Sequence, residues 1–197
     1  MFTGIVVDQS LVKRARDKGG LLEIEIESPV VARELRRGDS VSVNGVCLTA
    51  TATSRKRFGI QAMQETLGRS TLGSIEKGSV VNLELPARLQ DRMGGHLVQG
   101  HVDGIATVTH IDDVDGARRL RLSAGVELVR YLVEKGSVAL DGVSLTVVEA
   151  GRTTFEVALI PHTMQATNLG KLRVGQRLNV EVDVIAKYVE RLSDGGN

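Results

Sequence analysis

Residues 40–49 read SVSVNGVCLT, and residues 137–146 read SVALDGVSLT. Working outward from that pair, residues 40–84 lie on 137–181 without a gap, and fourteen of the 45 paired positions are identical. The identities include Gly45/Gly142, Leu48/Leu145, Thr49/Thr146, Phe58/Phe155, Thr66/Thr163, Leu72/Leu169, Gly73/Gly170, Gly78/Gly175, Asn82/Asn179 and Glu84/Glu181. Turn and polar residues match as well as apolar ones, so a shared hydrophobic period does not explain the likeness; the chain contains an internal duplication. A shift of 96 in place of 97 carries it to the beginning, pairing Gly4 and Val6 with Gly100 and Val102. One inserted or deleted residue near 27–30 accounts for the change.

Short alternating runs fill each copy. In the first they are Gly4 to Val7, Leu21 to Glu27, Ser40 to Val43, Cys47 to Thr53, Phe58 to Met63 and Val80 to Leu85, and period-two alternation between turn residues marks half-buried strands. Asn44-Gly45 and Asp141-Gly142 are hairpin signals, because a type I′ turn needs positive φ at both central residues. Gly19-Gly20, Gly38-Asp39, Lys77-Gly78, Asp115-Gly116 and Gly175 punctuate the rest. The expected architecture is all-β: two similar six-stranded antiparallel barrels, each about 95 residues. Val30 to Arg37 and Leu128 to Glu134 read as short helices, and the polar stretch Pro86 to Arg92 as the connection. This divides the chain into a first barrel at 1–92, a second at 93–182, and a C-terminal helix and tail at 183–197. In that last part DVIAKYVERLS places Ile185, Tyr188, Val189 and Leu192 on one helical face, with Asp183 as cap. Such a face either packs on its own domain or joins subunits.

Net charge is +1 with both signs well mixed, so there is no basic stripe for nucleic acid. No apolar run approaches the roughly 20 residues that cross a bilayer, and the start MFTGIVVDQS lacks a signal-peptide layout. The single cysteine, Cys47, excludes an internal disulfide, and a reducing cytoplasm is the expected location. Tryptophan is absent and aromatic residues make up 3% of the chain. A ring-shaped ligand would therefore be held by aliphatic walls and backbone groups more than by stacking.

Three clusters could carry chemistry. In the first, GGHLVQGHVD at 94–103, His96 and His101 invite a metal reading, but no third ligand sits at zinc-like spacing, and no metal is expected. A general base or a hydrogen-bonding group is the more economical role, and simple satisfaction of backbone groups is the bland one. Cys47 stands where the other copy has Ser144, two small nucleophile types between the same Val and Leu, although a lone cysteine also serves as a small hydrophobe. Thr49 and Thr146 follow on the same strand face, suited to a polyol or to mere β-propensity. The third cluster is Gln61-Ala62-Met63-Gln64-Glu65-Thr66 with its counterpart Ala158-Leu159-Ile160-Pro161-His162-Thr163. A strand ending at Pro161 pairs irregularly and leaves backbone donors and acceptors for a flat heterocycle. No dinucleotide or P-loop fingerprint occurs. The copies differ at Ile5/His101, Asn44/Asp141, Cys47/Ser144, Glu65/His162 and Pro86/Asp183, so two similar pockets would treat similar molecules differently.

MFTGIV at 1–6, NGVCLT at 44–49, ETL at 65–67, GGHLVQGHV at 94–102, DGVSLT at 141–146 and IPHT at 160–163 resemble the riboflavin synthase family over nearly the whole chain and in the same order. The resemblance implies Greek-key barrels, a homotrimer with the C-terminal helix near its axis, and a site formed where the first barrel of one subunit faces the second barrel of a neighbour. The implied reaction is a dismutation of two 6,7-dimethyl-8-ribityllumazine molecules to riboflavin and 5-amino-6-ribitylaminouracil, with no cofactor. It implies His101 as a proton-transfer or positioning residue, with Phe2, Ser40, Cys47, Thr49, Lys135, Ser144, Thr146 and Asp183 lining the site. Gly4, Ile5, Val6, Leu48, Gly100, Val102 and Leu145 complete the substrate contacts with the third cluster. It also allows association with lumazine synthase. The rival of another class is a non-catalytic lumazine- or flavin-binding antenna or carrier protein on the same barrels. Those tend to lose motif residues in one half, whereas here both halves keep Gly-Val-x-Leu-Thr.

Overall fold

The structure, a computed structural model, describes residues 1–114 and 116–193. Asp115 of the Asp115-Gly116 turn and the tail 194–197 lie outside the described residues. The first copy folds as β1 (Asp8–Asp17), β2 (Leu21–Glu27), α1 (Pro29–Glu34), β3 (Ser40–Val43), β4 (Val46–Thr53), β5 (Arg57–Met63), α2 (Gln64–Arg69) and β6 (Val80–Glu84). The second repeats it as β7 (Gly104–Val114), β8 (Ala117–Ser123), α3 (Val126–Val129), β9 (Ser137–Leu140), β10 (Val143–Ala150), β11 (Thr154–Leu159), α4 (Pro161–Ala166) and β12 (Arg177–Val182), followed by α5 (Val184–Ser193). Each set of six antiparallel strands closes into a barrel, the first in the order β1-β2-β5-β4-β3-β6 and the second in the equivalent order.

The hairpin turns are as the sequence requires, with φ of 46° and 76° at Asn44 and Gly45 and 45° and 78° at Asp141 and Gly142. Leucine-isoleucine alternation in LLEIEIE sends Leu22, Ile24 and Ile26 into the first barrel and its glutamates outward. Phe58 and Phe155 occupy the matching places in the two interiors, each 1% exposed. Four expectations are corrected. Gly4 to Val7 is not a strand; β1 begins at Asp8, and the preceding residues leave for the other barrel. The helices expected at Val30–Arg37 and Leu128–Glu134 are shorter and earlier. The first starts at Pro29, whose missing N–H suits a first turn, behind Ser28, whose Oγ accepts from the Val31 N–H at 3.2 Å. The strand expected to end irregularly at Pro161 stops at Leu159, and Pro161 opens α4 instead. Its counterpart Gln64 opens α2, which the alternation concealed.

The barrels meet across a pseudo-twofold axis. Gly45 and Gly142 abut at the axis: a Cβ on Gly45 would lie 2.6 Å from the Gly142 nitrogen, and one on Gly142 2.7 Å from the Gly45 nitrogen. Asn82 and Asn179, both buried, reach across the seam. Asn82 Nδ2 donates to the Asp141 carbonyl at 3.0 Å, and Asn179 Nδ2 donates to the Asn44 carbonyl at 2.8 Å. In return Asn82 Oδ1 accepts from the Asn168 N–H, and Asn179 Oδ1 from the Thr71 N–H. The identity Asn82/Asn179 thus records a contact between copies, since an unpaired amide here would leave buried donors and acceptors unmet.

One member of this seam is charged in only one copy. Asp141 accepts from the Asn179 N–H and from Asn168 Nδ2, but burial lifts its pKa from 3.8 to about 7. In the unfolded chain the carboxyl ionises near pH 4, whereas the fold retains the proton up to about pH 7, so stability falls as pH rises between those values. Asp141→Asn copies the Asn44 solution. Its urea midpoint should match the wild type near pH 4, exceed it increasingly up to about pH 7, and stay ahead by a constant margin of at most about 4 kcal/mol above that. A margin independent of pH would contradict the assignment.

Candidate functional site

The segments that lead into the two barrels exchange places. Phe2 and Val98 form an antiparallel bridge on the pseudo-axis, Phe2 N–H to Val98 O at 2.7 Å and Val98 N–H to Phe2 O at 3.1 Å. Beyond the bridge, residues 3–6 run over the second barrel and residues 99–102 over the first. The Ser144 N–H donates to the Gly4 carbonyl at 2.8 Å, and the Cys47 N–H donates to the Gly100 carbonyl at 2.9 Å. Val6 packs against the second core and Val102 against the first. Glycine is required at both contacts, because φ is +77° and +80° and a Cβ would stand 2.5 Å from Ser144 Cβ or 2.6 Å from Cys47 Cβ.

Two composite sites result, one around Cys47 and one around Ser144. The first, a cavity of about 190 Å³, is lined by Val46 and Cys47 of β4, Glu65, Thr66 and Arg69 of α2, Ser70, and Gly100, His101 and Val102 from the other half. Cys47 is half-buried and also touches the cluster of Phe2, Val98 and Ala139. Arg69 Nε contacts Glu65 Oε1 at 2.5 Å, putting an ion pair on this rim. The positions equivalent to Glu65 and Arg69 in the second barrel are His162 and Ala166, so only the first rim carries that pair.

Around Ser144 the chemistry differs. Ser144 Oγ and His96 Nδ1 share a 2.8 Å hydrogen bond, while His96 Nε2 is buried with no protein partner. Burial lowers the His96 pKa, partly offset by the nearby Asp183 carboxylate, which favours the neutral ring. Asp183 caps α5, Oδ1 accepting from the Ile185 N–H at 3.0 Å. Of the two histidines, then, His96 is bonded to Ser144, and His101 is exposed beside Cys47.

The other expected residues divide by side-chain direction. Leu48, Leu145, Ala62 and Leu159 point into the cores and can meet a ligand only through backbone atoms. Ser40 faces Thr49 across the β3–β4 hairpin, on the outward face that carries Cys47, and Thr146 holds the same place in the second copy opposite Ser137. Gln61 donates to Glu23 Oε1 at 3.1 Å. Met63, Gln64, Ile160, Pro161 and His162 are exposed, Ile5 is 47% exposed, and Thr66, Ala158 and Thr163 are half-buried. Lys135 adopts φ +65° where the first copy has Gly38, a left-handed conformation unusual for a side-chain-bearing residue. Sequence reasoning left Arg69 out, assigned His96 no specific partner, and missed the purpose of Glu84 and Glu181. The repeat had flagged the two glutamates; Arg69 has no such signal.

Paired closed barrels, each crossed by a segment of the other half, with a cavity beside Cys47, define a duplicated-barrel protein. The family described as the lumazine binding domain matches twice, at residues 3–86 and 99–183. The riboflavin synthase of Mycobacterium bovis is 45% identical over 196 residues, covering 98% of both chains. That of Bacillus subtilis is 36% identical over 197 residues, covering 100% of this chain and 92% of its own. Among solved structures, LumP complexed with riboflavin superposes with a TM-score of 0.86 at 24% identity, covering 92% of this chain and 99% of that one, which speaks for the fold. LumP complexed with 6,7-dimethyl-8-(1'-D-ribityl) lumazine gives 0.83. The chain belongs to the riboflavin synthase family.

The glycine contacts are separable from ordinary turn glycines. Gly78 has φ +95° but nothing within 4 Å of an added Cβ, so Gly78→Ala should cost only the backbone term, about 1 kcal/mol. Gly4→Ala and Gly100→Ala must also displace a neighbouring strand and should each cost at least about 3 kcal/mol by urea denaturation. Equal losses at all three positions would contradict the crossing.

Proposed function

We propose that the protein converts two molecules of 6,7-dimethyl-8-ribityllumazine into riboflavin and 5-amino-6-ribitylaminouracil, acting as a four-carbon transferase of riboflavin biosynthesis. The observation that carries this reading is the pair of crossings, one against Cys47 and one against Ser144, alike in backbone and unlike in side chains. A dismutation needs two places for the same molecule, one to give and one to receive. The duplicated scaffold offers equivalent places, and Cys47 with His101 against Ser144 with His96 distinguishes them.

The residues suit the substrate. The C7 methyl of the lumazine is acidic because its carbanion delocalises into the pyrimidinedione. Donors aimed at the ring oxygens would stabilise that charge. α2 and α4 begin behind Met63 and Ile160 without a capping side chain, leaving first-turn N–H groups to a ligand's carbonyls. Ser40, Thr49 and Thr146 would meet the ribityl hydroxyls, with Lys135 beside them. His101, exposed at the first cleft, would move or hold the proton, and Cys47 or water would add at the acceptor's C7. Two rings stacked face to face gain the advantage of an intramolecular reaction.

A cleft of about 190 Å³ is smaller than the roughly 300 Å³ or more of ordinary ligand sites. A neighbouring subunit would complete it. α5 supplies a means of association: Lys187 Nζ is 2.6 Å from Asp103 Oδ1, and Glu190 pairs with Arg130 and Tyr131, so the polar side of the helix is tied to its own barrel. Ile185, Tyr188, Val189 and Leu192 are 57–80% exposed. Of the two expected uses for that face, subunit association is the one proposed, in a homotrimer. No helix among the described residues is long and apolar enough to cross a membrane; the cytoplasm is proposed from the lone thiol.

Incubation with 6,7-dimethyl-8-ribityllumazine alone should yield riboflavin at half the molar amount consumed. Tight binding without conversion would place the protein with the antenna and carrier relatives. His101→Gln should lower kcat by about tenfold or more, and Cys47→Ser should lower it less; full kcat in both would overturn these roles. Ile185→Glu with Val189→Glu should reduce the sedimenting mass to that of one chain, while a mass unchanged from wild type would remove α5 from the interface.

A further inference from the structure

Two buried carboxylates stand behind the clefts. Glu84 Oε1 accepts from the Thr3 N–H at 2.6 Å and from Thr3 Oγ1 at 2.8 Å, and its Oε2 accepts from the Gly4 N–H at 3.0 Å. Glu181 repeats this at the other site, accepting from the Gln99 N–H at 2.6 Å and the Gly100 N–H at 2.8 Å. Each is about 5% exposed or less, lies at the end of the last strand of its barrel, and is among the identities of the duplication.

We propose that Glu181 and Glu84 are positioning residues, each setting one cleft: Glu181 holds the segment that places His101 beside Cys47, and Glu84 holds the segment that places Gly4 to Val6 against Ser144. The inference rests on the reading of these clefts as the substrate sites. Gly100 is gripped from both sides, its N–H by Glu181 and its carbonyl by the Cys47 N–H. His101 follows directly, and two residues later Asp103 Oδ2 accepts from the Val182 N–H at 2.9 Å. The histidine is therefore suspended between two anchors on β12 and its continuation, although β12 belongs to the other barrel. Ile5, the counterpart of His101, is suspended likewise between the Glu84 clamp and the Val7 N–H, which donates to Leu83 O at 2.8 Å. A carboxylate suits this task because two adjacent N–H groups point at it, and both oxygens accept. A carboxamide has one oxygen and would turn an NH₂ toward one of those donors.

Glu181→Gln and Glu84→Gln test the division of labour. Native-state amide exchange should accelerate by about tenfold or more in residues 97–103 of Glu181→Gln, the bridged Val98 excepted, while residues 3–6 keep their protection, and the reverse should hold for Glu84→Gln. kcat with 6,7-dimethyl-8-ribityllumazine should fall at least about tenfold in Glu181→Gln, with far-ultraviolet circular dichroism unchanged. If a glutamine variant does not fold, Glu181→Asp and Glu84→Asp, which keep the charge but withdraw it by one methylene, carry the same comparison. Loosening of both segments together in either variant would reduce the carboxylates to general stabilisers and overturn the proposal. So would full kcat in a Glu181 variant whose 97–103 segment has loosened. Selective loosening in a protein whose wild type forms no riboflavin would instead sink the reading of the function, leaving the clamps in place.

Discussion

Each cleft is roofed by backbone that continues into the other barrel, and the rest of the molecule is arranged to make that crossing possible. The contact is between main chains: a glycine carbonyl on one side, the amide of Cys47 or Ser144 on the other. Main-chain contact at this distance leaves no room for a side chain, which is why the duplicated motif keeps Gly4/Gly100 as well as the hairpin glycines. The buried asparagines and glutamates follow from it. A segment drawn across a seam without regular sheet partners exposes N–H groups to an apolar interior, and these must be met by side chains. Glu84 and Glu181 meet them inside the segments, and Asn82 and Asn179 at the seam itself.

Symmetry governs the scaffold and stops at the polar groups that face the clefts. The Phe2–Val98 bridge and the Gly45–Gly142 contact each join a position to its own copy, so the pseudo-axis runs through both. Close to that axis the copies already diverge, with Asn44 opposed to Asp141 and Thr71 to Asn168. Further out the divergence becomes chemical: Cys47 stands beside an exposed histidine, and Ser144 bonds to a buried one whose second nitrogen has no protein partner. On the proposed function, backbone geometry sets where a flat molecule can lie, and these few side chains set how it is treated there.

Much of this was legible in the chain before any coordinates. Strand periodicity, the Asn-Gly and Asp-Gly turns and the gapless repeat led to two six-stranded barrels, and five strands of the first copy fell within one residue of their ends. The failures have a common cause. Local pattern reads Gly4 to Val7 as a strand because Ile5, Val6 and Val7 are strand formers, with nothing to say that the partner of Gly4 is Ser144, 140 residues away. It also gives no helix after Met63, because the six-residue helix that follows lacks the length to show its period. The cleft residues were found largely through resemblance. The choice between His96 and His101 as the group facing Ser144 depends on a long-range crossing, which spacing within one segment does not encode. Glu84 and Glu181 looked like scaffold identities for the same reason: their ligands are the amides of residues some 80 positions earlier.

The crossing also imposes an order on the nascent chain. By residue 84 every strand of the first barrel has been made, yet the roof of its cleft arrives only with residues 99–102, and the carboxylate that steadies that roof only at residue 181. Residues 2–6 must wait for Val98 and Ser144 before they have anywhere to settle. A partly synthesised chain can thus hold a closed first barrel and still lack the roof that residues 99–102 and Glu181 give it.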